Sequence, residues 1–453
     1  MWFWSGGVEA ARMGVMMKMF VVLCLLAWSG SASALNVYWN VPTEECPKSV
    51  KFDLSKFGII QNTGDTFHGD RFNILYQPGQ FPRYVQKKVT RRDGRIVKRE
   101  EPVNGGIPQS GDLNKHLEQL RKDIEDIIPK HYSGPAVLDF EQWQPTLRST
   151  GEIKYRNFSK EYHRSLVVAG VIPDPTDIDA QTAGNYTAEA LFERPARQYL
   201  EQTLQLARRL RPSALWGYYH YPYCKAYIPH VESCAPAISQ DNDKSLWLYE
   251  NSDALYPSIY YLKYKYTAWE KTMETRSRLE EADRMSRLVG GRPVFPYTWY
   301  AYHERHTDFL SPSDLLGSLG QAAARRPAGV IIWGGSDGLN STRLCLRLRD
   351  YVEHRLGPFV RWLRSLTDAQ LDQLHRHLVE SPESFYSQVA LLSKEGVFGR
   401  WPVNGWDADL EQTEEMKRAV LQEIARELGP DELLIGDPKQ VRYEEEEEQQ
   451  YLM

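Results

Sequence analysis

Cysteine is scarce in this chain, with five in 453 residues, and the spacing of those five does not fit a structural zinc site. No Gly-rich phosphate loop is present, which leaves an open nucleotide-binding sheet without its usual support. Charge of one sign is missing as well. Lys and Arg number 55 against 60 Asp and Glu, a formal net charge of -5, so nothing global argues for a nucleic-acid partner. Long apolar runs are absent after residue 34, and no segment there reads as a membrane span or anchor.

The exception comes early. Met19 to Ala27 is a short apolar stretch preceded by Arg12 and Lys18, and Ala32-Ser33-Ala34 is a small-residue cleavage site. Residues 1–34 therefore read as a signal peptide, and the product as secreted and extracellular. Cys24 leaves with it. Cys46, Cys224, Cys234 and Cys345 remain, an even count that implies two disulfides in an oxidising compartment, with three connectivities open. Asn157, Asn185 and Asn340 each open a glycosylation sequon.

Apolar patterning alternates between strand and helix. Val37–Asn40, Phe72–Tyr76, Leu215–Tyr221, Ala254–Tyr260, Val294–Trp299 and Val330–Trp333 read as strands. Leu113 to Ile127 and Tyr199 to Leu210 carry helical spacing, stopped near Pro129 and Pro212, and another helix is expected around Ser277–Val289. Val89 to Val97 reads as a hairpin around Asp93-Gly94. Such alternation predicts an α/β chain, with a TIM-like (β/α) barrel over residues 35–365 as its leading form and the site at the C-terminal strand ends. A helical C-terminal extension is expected over 366–440, then an acidic tail, 441–453, read as disordered.

One strand carries chemistry at its end. In Ala136-Val137-Leu138-Asp139-Phe140-Glu141-Gln142-Trp143, three apolar residues lead into two acids spaced i, i+2. Strand side chains alternate, so Asp139 and Glu141 share a face and Phe140 takes the other. Two carboxyls so placed suit acid–base work on a glycosidic bond. Acid-x-acid triplets also serve as solvated or capping features, and the neighbouring Trp143 tilts the balance, since aromatic rings wall carbohydrate sites.

With these motifs assembled, the chain resembles the hyaluronidases of glycoside hydrolase family 56, particularly the insect venom type. The resemblance runs in order through NVYWNVP at 36–42, ILYQPGQFP at 74–82, NGGIPQ at 104–109, DFEQWQP at 139–145, WGYYHYPYC at 216–224, YPSIY at 256–260 and WGGSD at 333–337. It implies a secreted enzyme that hydrolyses the β-1,4 bonds of hyaluronan with retention, the substrate's acetamido oxygen acting as nucleophile. It implies Glu141 as acid and base, and Asp139 as the group that orients the acetamido. Tyr219 and Tyr260 match acetamido-site tyrosines and Trp333 the pocket wall. Tyr76, Arg278, Tyr297, Ser336 and Asp337 match cleft positions. The resemblance further implies the pairs Cys46–Cys345 and Cys224–Cys234, a monomer, and a reaction with neither metal nor cofactor. A charged Asp139, with aromatic walls, is expected to raise the pKa of Glu141.

The alternatives are a chondroitin-preferring relative and a non-catalytic glycan-binding or allergen-like protein, the latter disfavoured by both acids being intact. A chitinase would carry a further Asp where Val137 stands. Tyr223 and His303 stand where vertebrate members place acids, and residues 170 to 185 fit the family poorly. Lys87, Lys88, Arg91, Arg92, Arg95, Lys98 and Arg99 cluster around the hairpin. They suit the steering of a polyanion or the protection of a strand edge.

Overall fold

Strands β1 (Val37–Asn40), β2 (Ile59–Ile60), β3 (Asn73–Tyr76), β6 (Pro135–Asp139), β7 (Leu215–Tyr218), β8 (Tyr297–Trp299) and β11 (Val330–Trp333) run parallel. The computed structural model describes residues 35–399 except 92–94, 175, 226–232 and 265. The signal segment, the Asp93-Gly94 turn, Arg92 and the acidic tail lie outside the described residues. Two antiparallel hairpins complete the sheets, β4 (Arg83–Thr90) with β5 (Ile96–Val103), and β9 (Ala301–Tyr302) with β10 (Arg305–Phe309).

The parallel strands form a distorted TIM barrel. Hydrogen bonding runs β2–β1–β11–β8 on one side and β3–β6–β7 on the other. Isolated parallel bridges at Tyr219–Tyr256, Leu255–Val294 and Ser258–Tyr297 join the two arcs. The stretch 254–260 is thus barrel wall without being a regular strand, as its apolar run had suggested. Pro257 has no N–H to give a ladder. Between β2 and β3 no ladder forms among the described residues. The buried Asn62 carboxamide spans that gap. Its Oδ1 accepts from the N–H of Arg71 and Phe72 at 2.8 and 2.9 Å, and its Nδ2 donates to the carbonyls of Thr66, Phe67 and Phe72.

Alternation along each strand sorts its residues. Ile74, Val137, Tyr256, Phe295, Tyr297 and Ile331 meet inside the barrel. Leu75, Leu138, Trp216 and Tyr218 face outward, against Leu120 and Ile124 of helix Leu113–Ile127 and Tyr199 and Leu204 of helix Ala188–Leu210. Asp112 caps the first of these helices by accepting from the Lys115 N–H at 3.1 Å. The second begins eleven residues before Tyr199 and carries Pro195 within it. A capping box, Thr267 with Glu270, starts helix Ala268–Leu288.

Residue 365 is not a break in packing. Helices Asp368–Val379 and Pro382–Lys394 place Leu374, Leu378, Phe385 and Leu392 in one core with Leu315, Leu316 and Phe359. Cys46 and Cys345 form a disulfide across 299 positions. Cys224 and Cys234, the other expected pair, are both buried, with their side chains within hydrogen-bond reach of each other. No described helix is long and apolar enough to cross a membrane.

Candidate active site

Asp139 closes β6 on the same face as Val137, so its carboxyl enters the mouth of the barrel. Glu141 stands two residues beyond the strand end. Phe140, between them, turns outward and stacks on Phe81 at 4.1 Å, which locks the alternation in place. Gln77 donates its N–H to the Asp139 carbonyl at 2.7 Å. Trp143 is fully buried and donates from Nε1 to the Pro82 carbonyl at 2.7 Å. It therefore anchors the strand end and does not wall the cleft.

The two carboxyls hydrogen-bond to each other. Glu141 reaches solvent along the cleft yet has protein on most sides, and this burial lifts its carboxyl to about 7. Asp139 is raised well above the usual range, first by burial and then by the charge of Glu141. The hydrogen bond from Asp139 opposes the rise at Glu141. Of the two expected causes of the rise at Glu141, desolvation acts and repulsion from a charged Asp139 does not.

Aromatic side chains from the strand ends and from the 254–260 wall line the mouth. The Tyr219 hydroxyl donates to Ser258 Oγ at 3.2 Å and receives a hydrogen bond from Tyr260. Burial, then the charge of Glu141, raises the pKa of Tyr219, so its hydroxyl stays protonated and able to donate. Tyr260 stacks on Trp333 with centroids 5.8 Å apart, and Trp333 donates from Nε1 to the half-exposed Tyr76 hydroxyl at 2.7 Å. Tyr76 pairs in register with Asp139. Tyr297 is fully buried beneath, edge-on to Tyr219 at 5.0 Å, and its hydroxyl has no partner among the described residues.

The remaining sequence candidates lie further out. Arg278 sits behind the wall, donating to the Ser258 carbonyl at 3.1 Å and paired with Glu274 at 2.6 Å. Its contact with the site runs through Ser258. Ser336 and Asp337 occupy the exposed turn after β11, where Ser336 donates to Glu45 at 2.8 Å and Asp337 faces His306 at 3.6 Å. Asn157, Asn185 and Asn340 are all exposed. Sequence reasoning passed over Ser258 and Trp299 of the mouth and noted His303 only as a departure from vertebrate members. Ser258 holds Tyr219, Trp299 meets Trp333 edge-on at 4.5 Å, and His303 stacks on Tyr260 at 6.2 Å. Ser258 and Tyr260, like Tyr297 and Trp299, are spaced by two, a signal that could have found both partners. Among the described residues no cluster of His, Cys, Asp and Glu could hold a metal ion.

Residues 29–371 match the hyaluronidase family. The chain is 37% identical to the hyaluronidase of Apis mellifera, over 75% of this chain and 89% of that protein. It is also 37% identical to a hyaluronidase of Tabanus yao, over 72% and 90%, and 33% identical to the salivary hyaluronidase of Lutzomyia longipalpis, over 73% and 88%. Among solved structures, bee venom hyaluronidase in complex with a hyaluronic acid tetramer is similar at a TM-score of 0.63 and 36% identity, over 73% of this chain and 99% of that one.

Proposed function

This chain belongs to the hyaluronidase family of glycoside hydrolases, and from that premise we propose that it is a secreted endo-β-N-acetylhexosaminidase that hydrolyses the β-1,4 bonds of hyaluronan with retention. The observation that carries the reading is the hydrogen-bonded pair Asp139–Glu141 at the barrel mouth, walled by Tyr219, Tyr260 and Trp333.

The chemistry follows from that pair. The substrate's acetamido N–H donates to Asp139, which favours the ionised form there and moves the shared proton to Glu141. The acetamido oxygen then attacks the anomeric carbon. The bond to the leaving oxygen breaks, and Glu141 delivers its proton to that oxygen. In the second half Glu141, now a carboxylate, takes a proton from water as the water adds to the anomeric carbon and the acetamido is released. Such substrate assistance departs from the two-carboxylate nucleophile scheme. The Tyr76 hydroxyl, which accepts from Trp333, keeps its own proton to donate to the sugar, the Tyr219 hydroxyl donates once its proton turns from Ser258, and the Trp333 ring supports the sugar's apolar face. Arg278 stiffens the Ser258–Tyr219 wall, and Ser336 and Asp337 border the outer cleft. Export is supported by the apolar leader, by the disulfide and by relatives from venom and saliva.

Replacing Glu141 with Gln is expected to lower kcat by about 10³-fold or more while leaving retention on immobilised hyaluronan near wild type. Reducing-end release from hyaluronan and chondroitin, assayed in parallel, measures it. A variant turning over at the wild-type rate overturns the acid assignment, and cleavage of chondroitin alone overturns the substrate.

A further inference from the structure

Residues 83–103 hold eight cations against three acids, a local surplus of five in a chain whose formal net charge is -5. The described ones among them form strands β4 and β5, which stand exposed beyond the hairpin's base. Cross-strand register places Lys87 opposite Arg99 and Lys88 opposite Lys98. Like charges directly opposite each other destabilise a hairpin. Protecting the edge would need only charge, not facing pairs of one sign. Of the nearby acids, Glu101 pairs with Lys87 and its charge reaches Arg99, leaving that facing pair one positive charge in excess, and Glu100 pairs with Lys154. Lys88, Arg91, Lys98 and Arg99 make no ion pair among the described residues.

The arm is firmly rooted on the rim of the cleft. Only residues 77–82 separate Tyr76 from Arg83. Within them Gln77 holds the Asp139 carbonyl and Pro82 accepts from Trp143. At the base, the Tyr84 N–H donates to the Tyr155 hydroxyl at 3.0 Å and its ring packs on Phe158 at 4.4 Å. Gly106, at φ +83°, leaves room for that ring, since a Cβ there would lie 2.5 Å from it.

We propose that the β4–β5 hairpin is a docking arm for an anionic glycosaminoglycan chain, outside the catalytic cleft and continuous with its rim. The identity of the glycan rests on the hyaluronan reading above; its charge and linear form do not. From Lys87 to Arg91 the same face runs about 14 Å at 3.4 Å per residue, too long for one small anion. Cations also occupy both faces, Lys88 and Lys98 on one and Lys87, Arg91 and Arg99 on the other. A flexible chain can follow both faces, whereas a flat bilayer meets one, despite the exposed Ile96 and Val89 near the tip.

The test uses the full chain carrying Glu141→Gln, so that polymer is bound and not cut. Lys88, Arg91, Lys98 and Arg99 are changed together to Gln, and binding to immobilised hyaluronan and to heparin is followed against salt. Affinity at low salt is expected to fall about tenfold or more, with a salt slope shallower by ~3. The conservative pair Lys88→Arg and Lys98→Arg is expected to bind as the parent does, which separates charge from folding. In the active enzyme the same four changes are expected to raise KM for polymer and leave kcat on a short oligosaccharide unchanged. Unaltered elution and slope overturn the proposal. So does lost binding to phosphatidylserine vesicles with glycan binding intact, which assigns the arm to membranes. If the wild-type chain cuts no hyaluronan, the proposed function falls, while a charge-dependent loss of heparin binding still establishes the arm.

Discussion

Two acids held side by side under aromatic rings govern the response of this enzyme to pH. If Glu141 must donate a proton, kcat/KM is expected to fall as pH rises through about 7, the value to which burial lifts it; a pH–rate profile with hyaluronan measures this. Stability is expected to follow the same group. Its folded pKa lies above the ordinary 4.5, so the folded state holds the extra proton between about 4.5 and 7. Stability is then lost as pH rises across that window and stays lost above it. Glu141→Gln removes the ionisable group and should melt higher than wild type at pH 8 and equally at pH 4, as read by calorimetry. The pair itself was legible because strand alternation puts i and i+2 on one face. The sign of the coupling was not, since burial of each carboxyl depends on rings brought in from other strands. Arg278 illustrates the same limit: helical spacing cannot say that a carbonyl, Ser258 O, stands between it and the cleft.

At the level of elements, the barrel wall depends on close approach at β7. A Cβ on Gly217 would lie 2.2 Å from the Ala254 carbonyl and 2.9 Å from the Tyr256 ring, both inside the wall. Gly217→Ala is therefore expected to cost about 3 kcal/mol or to prevent folding, and urea unfolding would show it; a change below 0.5 kcal/mol would contradict the close packing. Strands β1, β3, β7 and β11 were legible as short apolar runs with abrupt ends. The 254–260 wall was legible as buried but not as irregular, because Pro257 removes a donor without altering the apolar pattern. The start of helix Ala188–Leu210 was missed because Pro195 reads as a breaker, while the Thr187 cap upstream, accepting from the Ala190 N–H at 3.1 Å, carries the true beginning.

For the whole molecule, the C-terminal helices and the long disulfide act on the same body. Cys46 lies just after β1 and Cys345 in helix Thr342–Tyr351, so the bridge closes nearly the full described chain. Constraining so long a loop in the unfolded state is worth about 5–6 kcal/mol on chain entropy alone. The double change Cys46→Ala, Cys345→Ala should lower the melting temperature by several degrees without altering KM, measured by thermal scans beside kinetics. Domain boundaries were the least legible part. The change in composition near Gly357-Pro358 suggested an appendage, whereas Leu374, Leu378 and Phe385 complete a core begun three hundred residues earlier. Composition reports what a segment is made of, and only packing reports what it belongs to.

The Asn62 carboxamide has a consequence for how the barrel opens. Elsewhere in the wall, neighbouring staves share several backbone bonds, so losing one leaves others to hold. Here side chains do that work: the Asn62 amide gathers five bonds on one group, with Thr63 and Asp70 pairing beside it. Thermal breathing of the cylinder would start at this clasp and spread toward β3, whose far end carries Tyr76 at the catalytic mouth.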